Sequence, residues 1–152
     1  MAAGPFILYD IAALDIGGGA VPHDFDTHAF KIALVTSSYT WSPAHSLYAN
    51  ITNELTTANG YTIGGGLLTG VTWTRTAGVA KFTSNNFVWT ASGAGITARR
   101  AILYNDTQSG KPLLGSYLLD ATPADLTATA GNTFTVGPHA TNGWFQQTVN
   151  PV

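Results

Sequence analysis

From Asn59-Gly60 to its end the chain is a succession of short apolar or alternating runs, each closed by glycine, asparagine, aspartate or proline. Asn-Gly is a hairpin-turn signal, because both residues reach positive φ at low cost. In VTWTRT (71–76), Val71, Trp73 and Arg75 fall on one side and three threonines on the other, the two-residue period of a strand. VAKFTS (79–84), NFVWTA (86–91), TFTVG (133–137) and GWFQQTV (143–149) add further strands, and YTIGGGLLTG (61–70) reads as two short strands about a glycine loop. FKIALVT (30–36) and KPLLGSYLLD (111–120) are apolar on both faces, as central strands covered on two sides are. ITARRAILYN (96–105) is the longest strand candidate. The expectation is an all-β fold of about eight strands in a two-sheet sandwich, jelly-roll or immunoglobulin-like.

Composition agrees. Glutamate occurs once, at Glu54, and lysine three times, at Lys31, Lys81 and Lys111, so the usual surface residues of helices are nearly absent. One short helix is expected near 43–55. Ser42 can cap it, Pro43 suits its first position, Leu47, Ile51 and Leu55 recur every four residues, and Tyr48 flanks that stripe. The 152 residues fit one domain, divided here into an N-terminal arm and loop over 1–28 and a β domain over 29–152. Within the arm PFILYDIAALDI is apolar; Ile7, Ile11 and Leu14 share a helical side before Gly17-Gly18-Gly19 ends it.

Several functions are excluded or left without support. Six basic residues cannot form the stripe that binds nucleic acid by counterion release. The apolar run Pro5 to Leu14 is too short to span a bilayer, carries Asp10 and follows no positive residue, so it reads neither as a membrane segment nor as a secretory signal. Without cysteine there is no disulfide, thiolate metal site or thiol catalysis. The sequons at Asn50 and Asn105 read as accidents of a threonine-rich chain.

His23, Asp24, Asp26 and His28 are ligand types for a divalent metal, but they share one turn-rich loop, and ligands normally converge from several elements. No metal is expected. IGGGLLTG lacks the Lys-Ser/Thr of a phosphate-cradling loop and ASGAG does not match a dinucleotide fingerprint, so no cofactor is expected. His45 and Ser46 are adjacent, and neighbours on a helix do not face each other. No G-x-S-x-G elbow exists, and none of Asp10, Asp106 and Asp120 is singled out as a catalytic acid. The chain does not read as an enzyme.

What remains points to contacts. Arg99 and Arg100 are consecutive on a strand and must point to opposite faces, so one aims at a sheet interior or a subunit contact. Trp73 and Trp89 read as core. Trp41 lies beside the expected helix start. Trp144 and Phe145 put two rings on opposite faces, and at least one needs cover from a second sheet or a partner.

Four ordered blocks carry a family resemblance. KIALVTSSYTW (31–41), NELTTANGYTIGGGLLTG (53–70), KFTSNNFVWTASGAGITARRAILYNDT (81–107) and KPLLGSYLLD (111–120) resemble a group of small virion structural proteins of tailed bacteriophages, with a weaker echo at FTVGPHATNGWFQ. Asn85-Asn86 stands where that group has an acidic pair, and Arg100 where it has an aromatic residue. The resemblance implies a non-enzymatic part of a phage particle. The expectation drawn from it is a capsid decoration, or cement, protein, made in the host cytoplasm and bound to the major capsid protein on the outer surface of the virion. It would act as a homo-oligomer such as a trimer, with no nucleic-acid or membrane partner. The alternative is a tail, baseplate or fibre-associated module, including one that binds host glycans. The expected contact residues are Phe6, Ile7, Leu8, Tyr9 and Ile11 of the arm, with Trp41, Arg99, Arg100, Trp144 and Phe145.

Overall fold

The computed structural model describes residues 2–148. Val149, the last residue of the final expected strand, lies outside the described residues. In chain order the strands are β1 (Ile7–Leu8), β2 (Phe30–Val35), β3 (Gly66–Leu67), β4 (Thr72–Thr76), β5 (Val79–Thr83), β6 (Phe87–Thr90), β7 (Ile96–Ala98), β8 (Arg100–Asn105), β9 (Leu113–Leu118), β10 (Leu126–Ala128), β11 (Thr133–Val136) and β12 (Phe145–Thr148). A single α-helix, α1 (Asp10–Ile16), lies between β1 and β2.

The fold is all-β. Its central sheet is antiparallel, in the order β1-β9-β8-β2-β3. The second layer is divided. It consists of β12-β5-β4, β11-β6 and β10-β7. Among the described residues twelve short strands form four ladders, a finer division of the expected all-β sandwich of about eight strands in two sheets.

β2, β8 and β9 are buried on both sides, as their unbroken apolar runs require. On one face Phe30 meets Phe82 of β5 at 5.1 Å and Phe25 at 5.5 Å between ring centroids. Gly66, paired with Ile32, leaves room for the Phe87 ring; a Cβ there would come within 2.2 Å of it. The other face carries α1 and the 39–55 segment, with Tyr48 against Tyr104 at 4.8 Å.

The 43–55 helix does not form. Only Tyr48–Asn50 makes a single 3₁₀ turn. The segment spends its backbone groups on the sheet: Tyr48 N–H donates to Lys111 O, Ser46 O accepts from Leu113 N–H, and Leu55 N–H donates to Leu34 O. Asn50 Oδ1 accepts from the N–H of Ser46 and of Leu47 at 3.0 and 2.9 Å, which closes the chain locally in a non-helical way. The four-residue spacing of Leu47, Ile51 and Leu55 is thus produced by a winding loop, and Asn-Ile-Thr-Asn has little helix propensity to resist it.

The helix is in the N-terminal segment instead. Asp10 sits in its first turn, where the helix dipole favours a negative charge. Gly17 N–H and Gly19 N–H donate to Leu14 O and end it. This segment is not a free arm. β1 pairs with β9, Tyr9 and Ala12 are wholly buried, and Phe25 from the following loop enters the core. Much of the expected 1–28 arm is thus built into the domain.

Candidate interaction site

The contact residues expected from the sequence separate into three groups. Tyr9 and Trp144 are core residues, 0% and 3% exposed, with little surface of their own. Phe6 lies 5.8 Å from Trp144 and 6.4 Å from Tyr117, and Phe145 is enclosed by Phe25, Trp73 and Phe82 at 5.5–5.7 Å. The Trp144-Phe145 pair thus finds both its covers within its own chain. Leu8 and Ile11 are half-buried against the core. Ile7 does face outward, 42% exposed, and Leu14 beside it on α1 is 62% exposed.

Arg99 and Arg100 point apart, as strand geometry demands. Arg99 Nε donates to Asp125 Oδ1 at 2.7 Å in an open ion pair. Arg100 turns onto the helix side of the sheet, joining Trp41, Tyr9, Tyr39, His45 and Ser116. Its guanidinium carbon stands 5.6 Å from the Trp41 ring centroid, and its Nη1 donates to Ser116 Oγ at 3.0 Å. Tyr9 Oη and Tyr39 Oη share a hydrogen bond at 3.2 Å, and Tyr39 Oη bonds His45 Nδ1 at 2.8 Å. Burial raises the pKa values of both tyrosines and lowers that of Arg100, so the phenols stay neutral and the guanidinium remains the cation of the cluster.

A second polar cluster closes the β3 side of the same face. Glu54 accepts hydrogen bonds from Tyr48 Oη, from Tyr61 Oη at 2.6 Å and from Gly64 N–H at 2.7 Å. Tyr61 Oη also accepts from Leu34 N–H at 3.1 Å, and Tyr104 Oη donates to Gly64 O at 2.6 Å. These bonds hold the glycine loop to β2. Sequence reasoning missed this role, although the single glutamate of the chain was a signal.

The His23–His28 loop is organised by Asn105. Its Nδ2 donates to His23 Nδ1 at 3.2 Å and to His28 Nδ1 at 2.8 Å, and Asp24 N–H also donates to His28 Nδ1. Both Nδ1 atoms therefore act as acceptors in this network. Asp24 turns its carboxylate onto Asp26 N–H, Thr27 N–H and Thr27 Oγ1. Asp24 thus serves the loop's own turn, the two histidines meet at Asn105, and the described residues hold no grouping of three His, Asp or Glu suited to a metal.

Burial depresses the His23 imidazole below its ordinary value, opposed by the nearby Asp15 carboxylate and reinforced by His28. The unfolded chain, at a pKa of about 6.5, then takes up the proton first. The stability this group supports is complete above about pH 6.5 and is lost as pH falls from there through the folded value. Thermal melts between pH 7 and pH 5 should show a falling Tm, and His23→Gln should flatten part of that slope. An identical slope in the variant would refute the assignment to His23.

Phe6, Tyr117, Leu126 and Trp144 also line an open cleft of about 590 Å³, rimmed by His139 and Asn142. Trp144 forms part of its wall, with its indole N–H donated to Ser84 Oγ at 3.0 Å. The cleft can take an apolar or ring-shaped group. Comparison of the chain with protein-family models, curated proteins and solved structures gives no match.

Proposed function

We propose that the chain is a non-enzymatic structural protein of a tailed-phage particle, acting as a decoration protein on the outer surface of the assembled head. One observation carries this reading. The blocks that resemble the phage virion group contribute nearly all of β2 together with β3, β8 and β9, neighbours in one continuous sheet, and also β6, β7 and part of β5 in the second layer. The likeness thus concerns the framework of the domain, which scattered surface matches would not.

The outer surface suits such work. Exposed apolar side chains at Ile7, Leu14, Leu47, Ile63, Leu67 and Val88 interrupt a polar surface on a chain with only 9% charged residues. Copies arranged as a small homo-oligomer, such as a trimer, would bridge neighbouring major capsid subunits. A stable contact of this kind buries about 1,200 Å² or more, and lattice symmetry repeats it. Because binding requires the assembled lattice, linkage stabilises that lattice. Ile7 and Leu14 are the N-terminal side chains available for this contact. The protein would reach the virion after synthesis in the host cytoplasm.

Co-sedimentation with emptied, expanded shells, and separately with isolated tails, tests the reading. Saturable binding to shells is expected. The double substitution Ile7→Ser and Leu14→Ser should weaken it about a hundredfold or more, given some 1.5–3 kcal/mol for burying each such side chain, with Tm unchanged. Binding to tails alone would overturn the head assignment. It would favour the second reading, a tail, baseplate or fibre-associated module, for which the Phe6–Tyr117–Trp144 cleft is the candidate host-glycan site. Saturable binding on a glycan array would mark that function.

A further inference from the structure

Among the described residues Arg100 is a cation without a counter-charge. All eight acids of the chain lie among the described residues, and none approaches its guanidinium within 4.0 Å. Asp125 is taken by Arg99, and Asp106 is shared by Lys31 and Lys111 at 2.9 and 2.8 Å. Of the five N–H donors of the guanidinium, one has a protein acceptor, Ser116 Oγ. Beside it the indole N–H of Trp41 is shielded from solvent; it lies toward the Tyr9 hydroxyl but makes no hydrogen bond of good geometry among the described residues.

The surroundings are built rather than incidental. Tyr9 and Ser116 are wholly buried and Tyr39 is 8% exposed, while Arg100 and Trp41 remain half-buried. A ligand would therefore meet a narrow head-group site at the surface. A buried donor left without an acceptor costs about 1–3 kcal/mol. The aromatic walls of Trp41, Tyr9 and Tyr39 lower the local dielectric, which strengthens an ion pair formed there and penalises an unpaired charge. The missing piece is an anion with oxygens for both the guanidinium and the indole N–H. A carboxylate has two such oxygens in one plane and a single charge to match a single guanidinium. Doubly charged phosphate would leave one charge uncompensated.

We propose that Arg100 and Trp41 form a carboxylate receptor that takes an aspartate or glutamate side chain from a neighbouring protein chain. This rests on the cluster's own geometry and stands whether the neighbour belongs to a phage head, a tail or a second copy.

The test is a titration of the ¹⁵N-labelled full chain at pH 7, following its tryptophan indole N–H signals. Trp73, Trp89 and Trp144 serve as internal controls. The probes are a blocked Gly-Glu-Gly peptide, its Gly-Gln-Gly counterpart, sodium acetate, sodium chloride and inorganic phosphate, at matched ionic strength. The glutamate peptide and acetate should move the Trp41 signal saturably, and the glutamine peptide and chloride should not. Arg100→Gln should weaken the response about tenfold or more, the loss expected for a hydrogen bond to a charged group. Trp41→Phe keeps the aromatic wall and removes the donor, and the Arg100 Nε–H signal then reports weaker binding. That variant decides the matter should Arg100→Gln fail to fold. Equal response to chloride or to the glutamine peptide, stronger response to phosphate, or undiminished binding in the variants would overturn the proposal.

Discussion

Gly65→Ala should cost about 2–5 kcal/mol of stability, combining the ~1–2 kcal/mol of a left-handed non-glycine residue with ~1–3 kcal/mol of overpacking. Gly65 holds φ +70, and a Cβ there would stand 1.9 Å from Ile32 O and 2.8 Å from Ala33 Cα. Both atoms belong to β2, whose ladder with β8 runs from Phe30 to Val35 without interruption. Moving Ile32 O aside would disturb the middle of the core sheet, so the loop must lift instead. That would loosen the Gly66–Ile32 pairing and the bonds from Gly64 to Glu54 and Tyr104. Gly18→Ala is the control. Gly18 has φ +96 with nothing within 4 Å of a built Cβ, so only the backbone penalty applies. Urea unfolding should place the Gly65 variant well below the Gly18 variant in midpoint, with similar m-values. Equal midpoints would mean that the contact with β2 yields without cost.

Removing residues 1–19 should abolish cooperative folding, or lower Tm by about 10 °C or more, at roughly 2–4 °C per kcal/mol for a domain of this size. The deletion strips β1 from β9 and leaves LLGSYL as an open edge strand, a template for aggregation. It also removes Phe6 from above Gly115 and takes the fully buried Tyr9 and Ala12 out of the core. Truncating one buried large aromatic side chain alone typically costs about 3–5 kcal/mol, against a total stability of about 5–15 kcal/mol. Thermal unfolding and light scattering read the result. A truncated chain melting within a few degrees of the intact one would make the segment an appendage after all. Loss of partner binding in this truncation would report the fold, so the surface substitutions at Ile7 and Leu14 are the informative ones.

The all-β class and the central strands were legible from local pattern. FKIALVT and KPLLGSYLLD are apolar on both faces because both faces are covered, and VTWTRT alternates because one face of β4 is not. The opposed aims of Arg99 and Arg100 follow from the two-residue period alone. The helix does not form at 43–55 because a four-residue apolar spacing at 47, 51 and 55 does not by itself mark one buried face: Ile51 and Leu55 pack against the core while Leu47 is exposed. The spacing says nothing of where the backbone groups find partners, and those partners lie on β2 and β9, far away in sequence.

The candidate site was half legible. Trp41 and Arg100 stood out as residue types, but Tyr9 and Ser116 reach them from two distant places in the chain, beside Tyr39 and His45 of the Trp41 segment. The same long-range assembly joins Asn105 to His23 and His28, across 82 and 77 residues. Sequence by itself determined the strand-rich character, the scarcity of charge and the turns, because these depend on side-chain period and backbone freedom within a few residues. Only the tertiary structure decided that the N-terminal segment belongs to the core, that Trp144 is enclosed and that Arg100 lacks a counter-ion among the described residues. Each of these depends on which distant groups fill the space around a side chain.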